Sequence, residues 1–252
     1  MVSAGSLRLL QDCDLTLTTI DENSVKRVSL VDQTSPKTLP LSVDFLTPQI
    51  LHRLKHGLSK NDFLPRALGF KSLNPDRAPF VLDATAGLGI DSFFIAALGA
   101  RVRAVERSEI IFELLKDGER RLREAQHEPR LQAIATRLSF ELGDALEVVR
   151  NLKADELPDV IYLDPMYPHE SRSGTALPKK AMQIFRRLIT GDDDAANVLE
   201  IAREMALDRV VVKRPLQAKS LGAEIPDHVF EGKTARFDMY LKRGRDRKRQ
   251  KV

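Results

Sequence analysis

The stretch "VLDATAGLGID", residues 81 to 91, decides the fold. The apolar run "FVLDA" predicts a short buried strand, and "DSFFIAAL" predicts a short helix that ends at Gly99. Between them, Gly87 and Gly89 predict a tight turn whose backbone N–H groups can approach a ligand closely. The stretch therefore predicts a strand–turn–helix unit of a parallel sheet, with a ligand site at the turn.

The same alternation continues to the C-terminus. Further strands are predicted at "RVRAVE", "LSFELGD", "DVIYLD" and "RVVVKRP". Helices are predicted at "EIIFELLKDGERRLREAQ", "ALEVVRNL", "PKKAMQIFRRLI" and "DAANVLEIAREMAL". The segments "HVFEG" and "RFDMYLK" predict a closing antiparallel hairpin. The pattern predicts an α/β fold with a doubly wound, mostly parallel sheet, whose ligands bind beyond the carboxyl ends of the strands.

The chain divides into three predicted parts. The turn signal at Asn74-Pro75-Asp76 predicts a boundary between residues 1–75 and the main domain, residues 76–243. The first part reads as a small α+β appendage, with strands at "LTLTTI" and "RVSLVD". Its helix is predicted to begin after Thr47, with Pro48 at its first position, and to end before Gly57. Residues 244–252 are predicted to form a disordered basic tail.

Charge and cysteine usage limit the class of protein. The net charge is +4, and the C-terminus reads "LKRGRDRKRQKV", which fits either a phosphate-binding end or a solvated tail. The single cysteine, Cys13, excludes a disulfide framework within one chain and fits a reducing cytoplasm. The sequence shows no signal peptide, no apolar run long enough for a membrane span and no metal-ligand spacing.

Acidic residues stand at the ends of the predicted strands. Asp83 ends the first strand, and Glu106 ends the second, about 20 residues after Gly87, where a carboxylate suits ribose hydroxyls. At the third strand end, Gly143 permits close approach, and Asp144 fits either a ligand contact or a helix cap. Ser92 stands where a dinucleotide fingerprint needs its third glycine, which disfavours a nicotinamide oxidoreductase.

These strand ends resemble those of the class I S-adenosylmethionine-dependent methyltransferases, which have a Rossmann-like fold. The resemblance implies that Asp83, Gly87 and Gly89 hold the methionine part of the cofactor. It also implies that Glu106 holds the ribose and that Asp144 contacts the adenine. The cofactor implied is S-adenosylmethionine.

The fourth strand ends in Asp164-Pro165-Met166-Tyr167. This resembles the Asp/Asn-Pro-Pro-Tyr/Phe motif of methyltransferases that act on exocyclic amines of nucleobases, with Met166 as a departure. Such an amine is a poor nucleophile, so an acceptor must hold its N–H while the lone pair points at the methyl donor. Asp164 or the carbonyl of Pro165 can accept that bond, and Tyr167 can stack on the base.

The sequence alone allows two roles for each of several polar residues near the strand ends. His169 fits a catalytic base less well than a solvated loop residue. Lys213 and Arg214 fit either substrate phosphates or pairing with acids. A larger set fits either phosphate contacts or a mobile surface loop: Arg172, Lys179 and Lys180.

The motifs "DATAGLGIDSF", "RVRAVER", "YLDPMYPH", "DRVVVKRP" and "ARFDMYL" occur in this order and resemble the ribosomal RNA small subunit methyltransferase J family. The resemblance implies methylation of the guanine N2 amine of one nucleotide in 16S rRNA, with 16S rRNA or the small ribosomal subunit as partner. It places cofactor contacts on Ile90, Asp91, Glu106, Arg107, Gly143, Asp144 and Asp164. Arg107 fits either a contact to the adenosine or a solvated position.

Other functions remain open from the residues alone. One is an amino-group methyltransferase acting on DNA, another RNA or a small molecule. Another is a non-catalytic RNA-binding module that keeps only the fold, which would tolerate loss of Asp164.

Overall fold

The structure is a computed structural model that describes residues 14–22, 25–34, 39–57, 62–70, 77–125, 128–165, 194–222 and 224–244. The predicted helix at residues 178–189 and the basic tail from residue 245 onward lie outside the described residues. The strands are β1 Leu15–Glu22, β2 Val25–Asp32, β3 Phe80–Asp83, β4 Arg101–Glu106, β5 Leu138–Leu142, β6 Val160–Leu163, β7 Arg209–Pro215, β8 His228–Glu231 and β9 Ala235–Leu241. The helices are α1 Pro48–His56, α2 Phe63–Ala67, α3 Ile90–Ala97, α4 Glu109–Glu124, α5 Pro129–Arg137, α6 Ala145–Arg150 and α7 Ala195–Met205.

The central sheet has seven strands in the order β5-β4-β3-β6-β7-β9-β8. Strands β5, β4, β3, β6 and β7 are parallel, and β9 pairs antiparallel with both β7 and β8. Strands β3, β6 and the first half of β7 are buried on both sides, which explains their continuous apolar runs. The predicted α/β sheet with an antiparallel C-terminal hairpin is therefore confirmed.

One face of the sheet is covered by α3, α4 and α5 together with N-terminal residues. Phe45 stacks on Phe93 of α3 with 5.3 Å between ring centroids and on Phe140 of β5 with 6.0 Å. The same apolar cluster includes Ile50 and Leu54 of α1. The opposite face packs on α6 and α7. The N-terminal residues thus complete a layer over the sheet, whereas the domain boundary near residue 75 stays a prediction.

The N-terminal elements also follow from local sequence. Strands β1 and β2 pair antiparallel, and the backbone N–H of Val28 in β2 donates to Asp117 Oδ2 of α4 at 3.1 Å. At the start of α1, the Thr47 hydroxyl accepts from the Ile50 N–H at 3.4 Å, and Pro48 occupies the first turn. The two predicted strands and the predicted capped helix are confirmed. Among the described residues, none of the helices has the length and apolarity that crossing a bilayer requires.

Candidate active site

Polar side chains gather at one edge of the central sheet. Strands β3 and β6 are adjacent and parallel, although β4 and β5 lie on one side of them and β7 on the other. The strands that follow β3 in the chain, β4 and β5, are therefore added on one side of it, and β6 and β7 are added on the other side. The order of strands reverses between β3 and β6, and doubly wound sheets bind ligands at such a reversal point. Asp83 ends β3 and Asp164 directly follows β6, so both carboxylates flank this point.

The glycine turn after β3 needs glycine for two reasons. Gly89 has φ 73°, a left-handed backbone conformation that is strained for residues with a side chain. A Cβ there would also lie 2.8 Å from Leu115 Cδ2 and 2.8 Å from Phe140 Cζ. The turn therefore packs closely against Leu115 and Phe140. Gly89 immediately precedes α3, so Ile90 and Asp91 lie in the first turn of that helix.

Glu106 holds this turn from the neighbouring strand. Its Oε2 accepts the N–H of Gly87 at 2.9 Å, and its Oε1 accepts the N–H of Ser108 at 2.7 Å. The residue is buried, with 7% of its surface exposed. Each carboxylate oxygen can accept more than one hydrogen bond. Glu106 therefore orders the turn and presents an acceptor suited to ribose hydroxyls.

Asp83 lies beneath the turn, with 1% of its surface exposed. Its Oδ1 accepts the N–H of Thr85 at 3.1 Å, and its Oδ2 accepts the hydroxyl of Ser92. Burial raises the pKa of Asp83 to about 7, although the bonds from Ser92 and Thr85 oppose the rise. The side chain thus supports the turn from below, and Ser92, the residue in place of a third glycine, is its partner.

Asp83 makes folding stability depend on pH. The pKa of Asp83 is higher in the folded state than in the unfolded state, so ionisation of this residue disfavours folding. The resulting loss of stability is absent below pH 4 and grows as pH rises towards 7. We expect Asp83→Asn to remove this slope, because its amide oxygen can accept from the Thr85 N–H while its NH₂ group donates to the Ser92 hydroxyl. Relative to the wild type, the variant should gain on the order of 2–4 kcal/mol of stability between pH 4 and pH 8. Urea unfolding of the variant and the wild type at both pH values measures this gain. For the exposed control Asp155→Asn, the difference in unfolding free energy from the wild type should be the same at both pH values. The same result for Asp83→Asn would contradict the prediction.

A lysine from β7 joins two of the carboxylates. Lys213 Nζ lies 2.7 Å from Asp91 Oδ2 and 2.8 Å from Asp164 Oδ2. The Tyr162 hydroxyl donates to the same Asp91 oxygen at 2.8 Å. Burial alone would raise the pKa of Asp91, but the Lys213 ammonium outweighs it and holds that pKa below its usual range. Burial also raises the pKa of Tyr162, and the nearby carboxylates add to that rise.

The backbone of Asp164 is fixed as well. Its N–H donates to Thr85 Oγ1 at 2.6 Å, which ties the end of β6 to the turn after β3. Pro165 follows and is buried. Tyr167 and the loop residues His169, Arg172, Lys179 and Lys180 lie outside the described residues. Base stacking by Tyr167 and phosphate contacts by that loop stay predictions.

The third strand end lies beside the same turn. Gly143 donates its N–H to the carbonyl of Glu106 at 3.0 Å. Asp144 caps α6 through Oδ1, which accepts from the N–H of Leu146 at 2.9 Å and that of Glu147 at 3.1 Å. The capping interpretation of Asp144 is therefore correct, and Oδ2 takes no part in it. Arg107 is exposed, and its Nη1 lies 3.8 Å from Asp194 Oδ1.

Sequence reasoning missed several of the positioning groups. Thr85 and Tyr162 were not singled out, although both lie within two residues of a predicted site carboxylate. For Lys213, phosphate binding and pairing with acids were both open, and the structure pairs it with acids. The usable signal was the position of each residue at or next to a strand end, where side chains from neighbouring strands meet.

The donor set fits S-adenosylmethionine. That molecule carries a ribose diol, an ammonium group and a sulfonium centre, so it suits carboxylate acceptors and a close-lying backbone turn. Glu106 offers the acceptors, and Asp91 Oδ1 has no hydrogen-bond partner among the described residues. In the same ranges, no group of three or more His, Cys, Asp or Glu side chains could hold a metal ion.

Comparisons with known proteins agree with this geometry. Residues 2–242 match a family model described as "Putative SAM-dependent methyltransferase". The ribosomal RNA small subunit methyltransferase J of Dechloromonas aromatica is 43% identical over 81% of this chain and 80% of its own length. The same enzyme of Thioalkalivibrio sulfidiphilus is 43% identical over 80% of this chain and 76% of its own. A crystal structure of a SAM-dependent methyltransferase from Neisseria gonorrhoeae has a TM-score of 0.68 and 34% identity, covering 90% of this chain and 84% of that one.

Proposed function

The chain belongs to the ribosomal RNA small subunit methyltransferase J family and is a SAM-dependent methyltransferase, and from this premise we propose its substrate and its site. It transfers a methyl group from S-adenosylmethionine to the exocyclic N2 amine of a guanine in 16S rRNA, in the cytoplasm. The substrate is the free 16S rRNA or the small ribosomal subunit. The relatives' name and the basic charge of this chain support that assignment.

One observation carries the proposal: the Asp164 carboxylate is held next to the glycine turn at the reversal point of the sheet. Its backbone bonds Thr85 of that turn at 2.6 Å, and its side chain meets Lys213 at 2.8 Å. Asp164 is thus a hydrogen-bond acceptor held in place through both its backbone and its side chain, next to a turn that suits a cofactor. Such an acceptor can orient an amine towards a methyl donor. An RNA-binding module that kept only the fold would not need such an arrangement.

In the proposed site, the bound cofactor supplies an electrophilic methyl group on a sulfonium. Asp164, or the Pro165 carbonyl, accepts an N–H of the guanine amine and so turns its lone pair towards that methyl group. Transfer of that methyl group to the amine nitrogen would leave the cofactor's sulfur neutral and would release one amine proton. Tyr167 stacks on the base. Positioning and fixed charges supply the acceleration, without a strong general base.

The cofactor is proposed to lie along the strand ends from β6 to β5. Glu106 binds the ribose, and Asp144 binds the adenine through the oxygen that does not cap α6. Asp83 supports the turn from beneath. The remaining proposed contacts are Gly87, Gly89, Ile90, Asp91, Arg107, Gly143 and Asp164.

A basic face beside the site supports an RNA substrate. Helix α1 has no acidic residue, and its exposed residues include the cations Arg53 and Lys55. The Arg53 guanidinium lies 4.0 Å from the centroid of the Phe94 ring in α3, and its charge contributes to the lowered pKa of Asp91. Exposed cations this close to the site suit the phosphates of an RNA strand.

The direct test is nucleoside mass spectrometry of 16S rRNA from cells that lack this gene, with rescue by variants. We expect N2-methylguanosine to disappear at one position and to return with the wild type and with Asp155→Ala, an exposed control. Asp164→Ala should not restore it, because alanine has no side-chain acceptor for the guanine amine. An unchanged modification profile in the deletion strain would overturn the rRNA assignment.

A further inference from the structure

Lys213 is a cation at the centre of the site that the proposed chemistry has not used. We infer that Lys213 is a positioning residue: its ammonium bridges Asp91 and Asp164, and thereby ties the amine acceptor to the cofactor turn. This inference rests on the proposed function, since it assigns a role within the same site.

The backbone places Lys213 for this role. In the pairing of β6 with β7, Leu163 lies opposite Val212, so Lys213 and Asp164 are the next residues along two adjacent strands. Asp91 reaches the same ammonium from the first turn of α3. An ammonium has three N–H donors, of which two point at these carboxylates. Three separate chain segments therefore converge on one nitrogen.

The charges at this point favour bridging over phosphate binding. Asp91 and Asp164 would repel each other without a cation between them. Burial alone would lower the pKa of Lys213, but the two carboxylates outweigh it and raise that pKa, so the ammonium stays charged. One cation between two carboxylates leaves a net negative trio, which repels a substrate phosphate. Among the described residues, the other charged or titratable groups that act on the trio include Tyr162, Asp83, Arg53 and Arg214.

The bridge has a consequence for the reaction. Holding one oxygen of Asp164 restricts rotation of the carboxylate, so the acceptor keeps its direction while the base enters. Asp91 takes a second bond from Tyr162, which anchors the far end of the bridge to β6. Loss of the ammonium should leave the cofactor turn intact, because Glu106 and Asp83 hold it independently. The expected defect is therefore in methyl transfer, not in cofactor binding.

The test compares Lys213→Met and Lys213→Arg with Lys219→Met, an exposed control on the following loop. At saturating S-adenosylmethionine and RNA, we expect Lys213→Met to lower kcat by about 10- to 100-fold, the range that misplacement of a reacting group produces. Lys213→Arg should recover part of that loss, because it restores the charge. The cofactor Kd by calorimetry should change by less than about 3-fold. Unchanged kcat, or a defect confined to the cofactor Kd, would overturn the inference.

A second readout needs no RNA. Carboxyl ¹³C NMR of the free protein follows the titration of Asp91 and Asp164 in the wild type and in Lys213→Met. Removing a cation favours the protonated acid, so the midpoints should move to higher pH in the variant. Unmoved midpoints would overturn the bridge even in an enzyme that methylates RNA. Moved midpoints in a protein whose wild type methylates no rRNA would refute the proposed function and leave the bridge standing.

Discussion

Asp164→Ala should lower the rate of methyl transfer by about 10²- to 10³-fold, the loss typical of removing one fixed group that stabilises a transition state. The bond to Thr85 is made by the backbone N–H of residue 164, so it is retained. The variant loses the carboxylate, and with it the attraction to Lys213 and the side-chain acceptor for the guanine amine. Single-turnover transfer from labelled S-adenosylmethionine to 16S rRNA measures the chemical step directly.

The control for this variant is Asp155→Ala, the same change at an exposed position away from the strand ends. It should transfer methyl groups at the wild-type rate. Cofactor affinity of Asp164→Ala should fall by less than about 10-fold, since the glycine turn keeps its bond to Glu106. A variant that methylates at the wild-type rate would remove Asp164 from the chemistry.

Glu106→Gln should weaken binding of S-adenosylmethionine by about 100-fold. Both carboxylate oxygens accept backbone N–H groups, from Gly87 at 2.9 Å and from Ser108 at 2.7 Å. A glutamine has only one acceptor oxygen, so its NH₂ group must face one of these donors. The variant loses one hydrogen bond between the carboxylate and the backbone of the turn, and its proposed hydrogen bond to the ribose becomes weaker. Each such bond to a charged group contributes about 1.5–3 kcal/mol. Isothermal titration calorimetry with the cofactor measures the change.

Glu141→Gln provides the matched control on the adjacent strand β5. Glu141 is paired with Arg103 at 2.5 Å and is partly exposed, so its replacement should leave the cofactor Kd unchanged. At saturating cofactor, Glu106→Gln should retain most of its kcat, because Asp164 and Lys213 are untouched. Wild-type affinity in Glu106→Gln would exclude Glu106 as the ribose acceptor.

The two variants should therefore fail in different ways. Asp164→Ala is expected to lower kcat with modest effect on cofactor binding, whereas Glu106→Gln is expected to raise the cofactor Kd with modest effect on kcat. This separation follows from the sheet order, since Glu106 lies on β4 on one side of β3 and Asp164 follows β6 on the other. A common loss of both properties in both variants would instead indicate collapse of the shared turn.

Most of the secondary structure was predictable because apolar runs, caps and glycine ends are local signals. Two helices were missed, α2 and α5. Helix α5 begins at Pro129 and buries Leu131, Ile134 and Ala135, a helical spacing that a closer reading of "PRLQAIATR" would have detected. Helix α2 has five residues, which is too short to show a period.

The sequence alone determined which residue types stand at the strand ends, because a strand and the turn after it are encoded by neighbouring residues. It thereby indicated Asp83, Glu106 and Asp164 and the class of chemistry. Only the tertiary structure decided how these groups are partnered: Asp83 bonds Ser92 beneath the turn, and Lys213 joins Asp91 to Asp164, which is 49 residues distant in sequence from that lysine. The order of strands in the sheet sets those contacts, and burial together with the charged partners, not local sequence, then sets the protonation of each group.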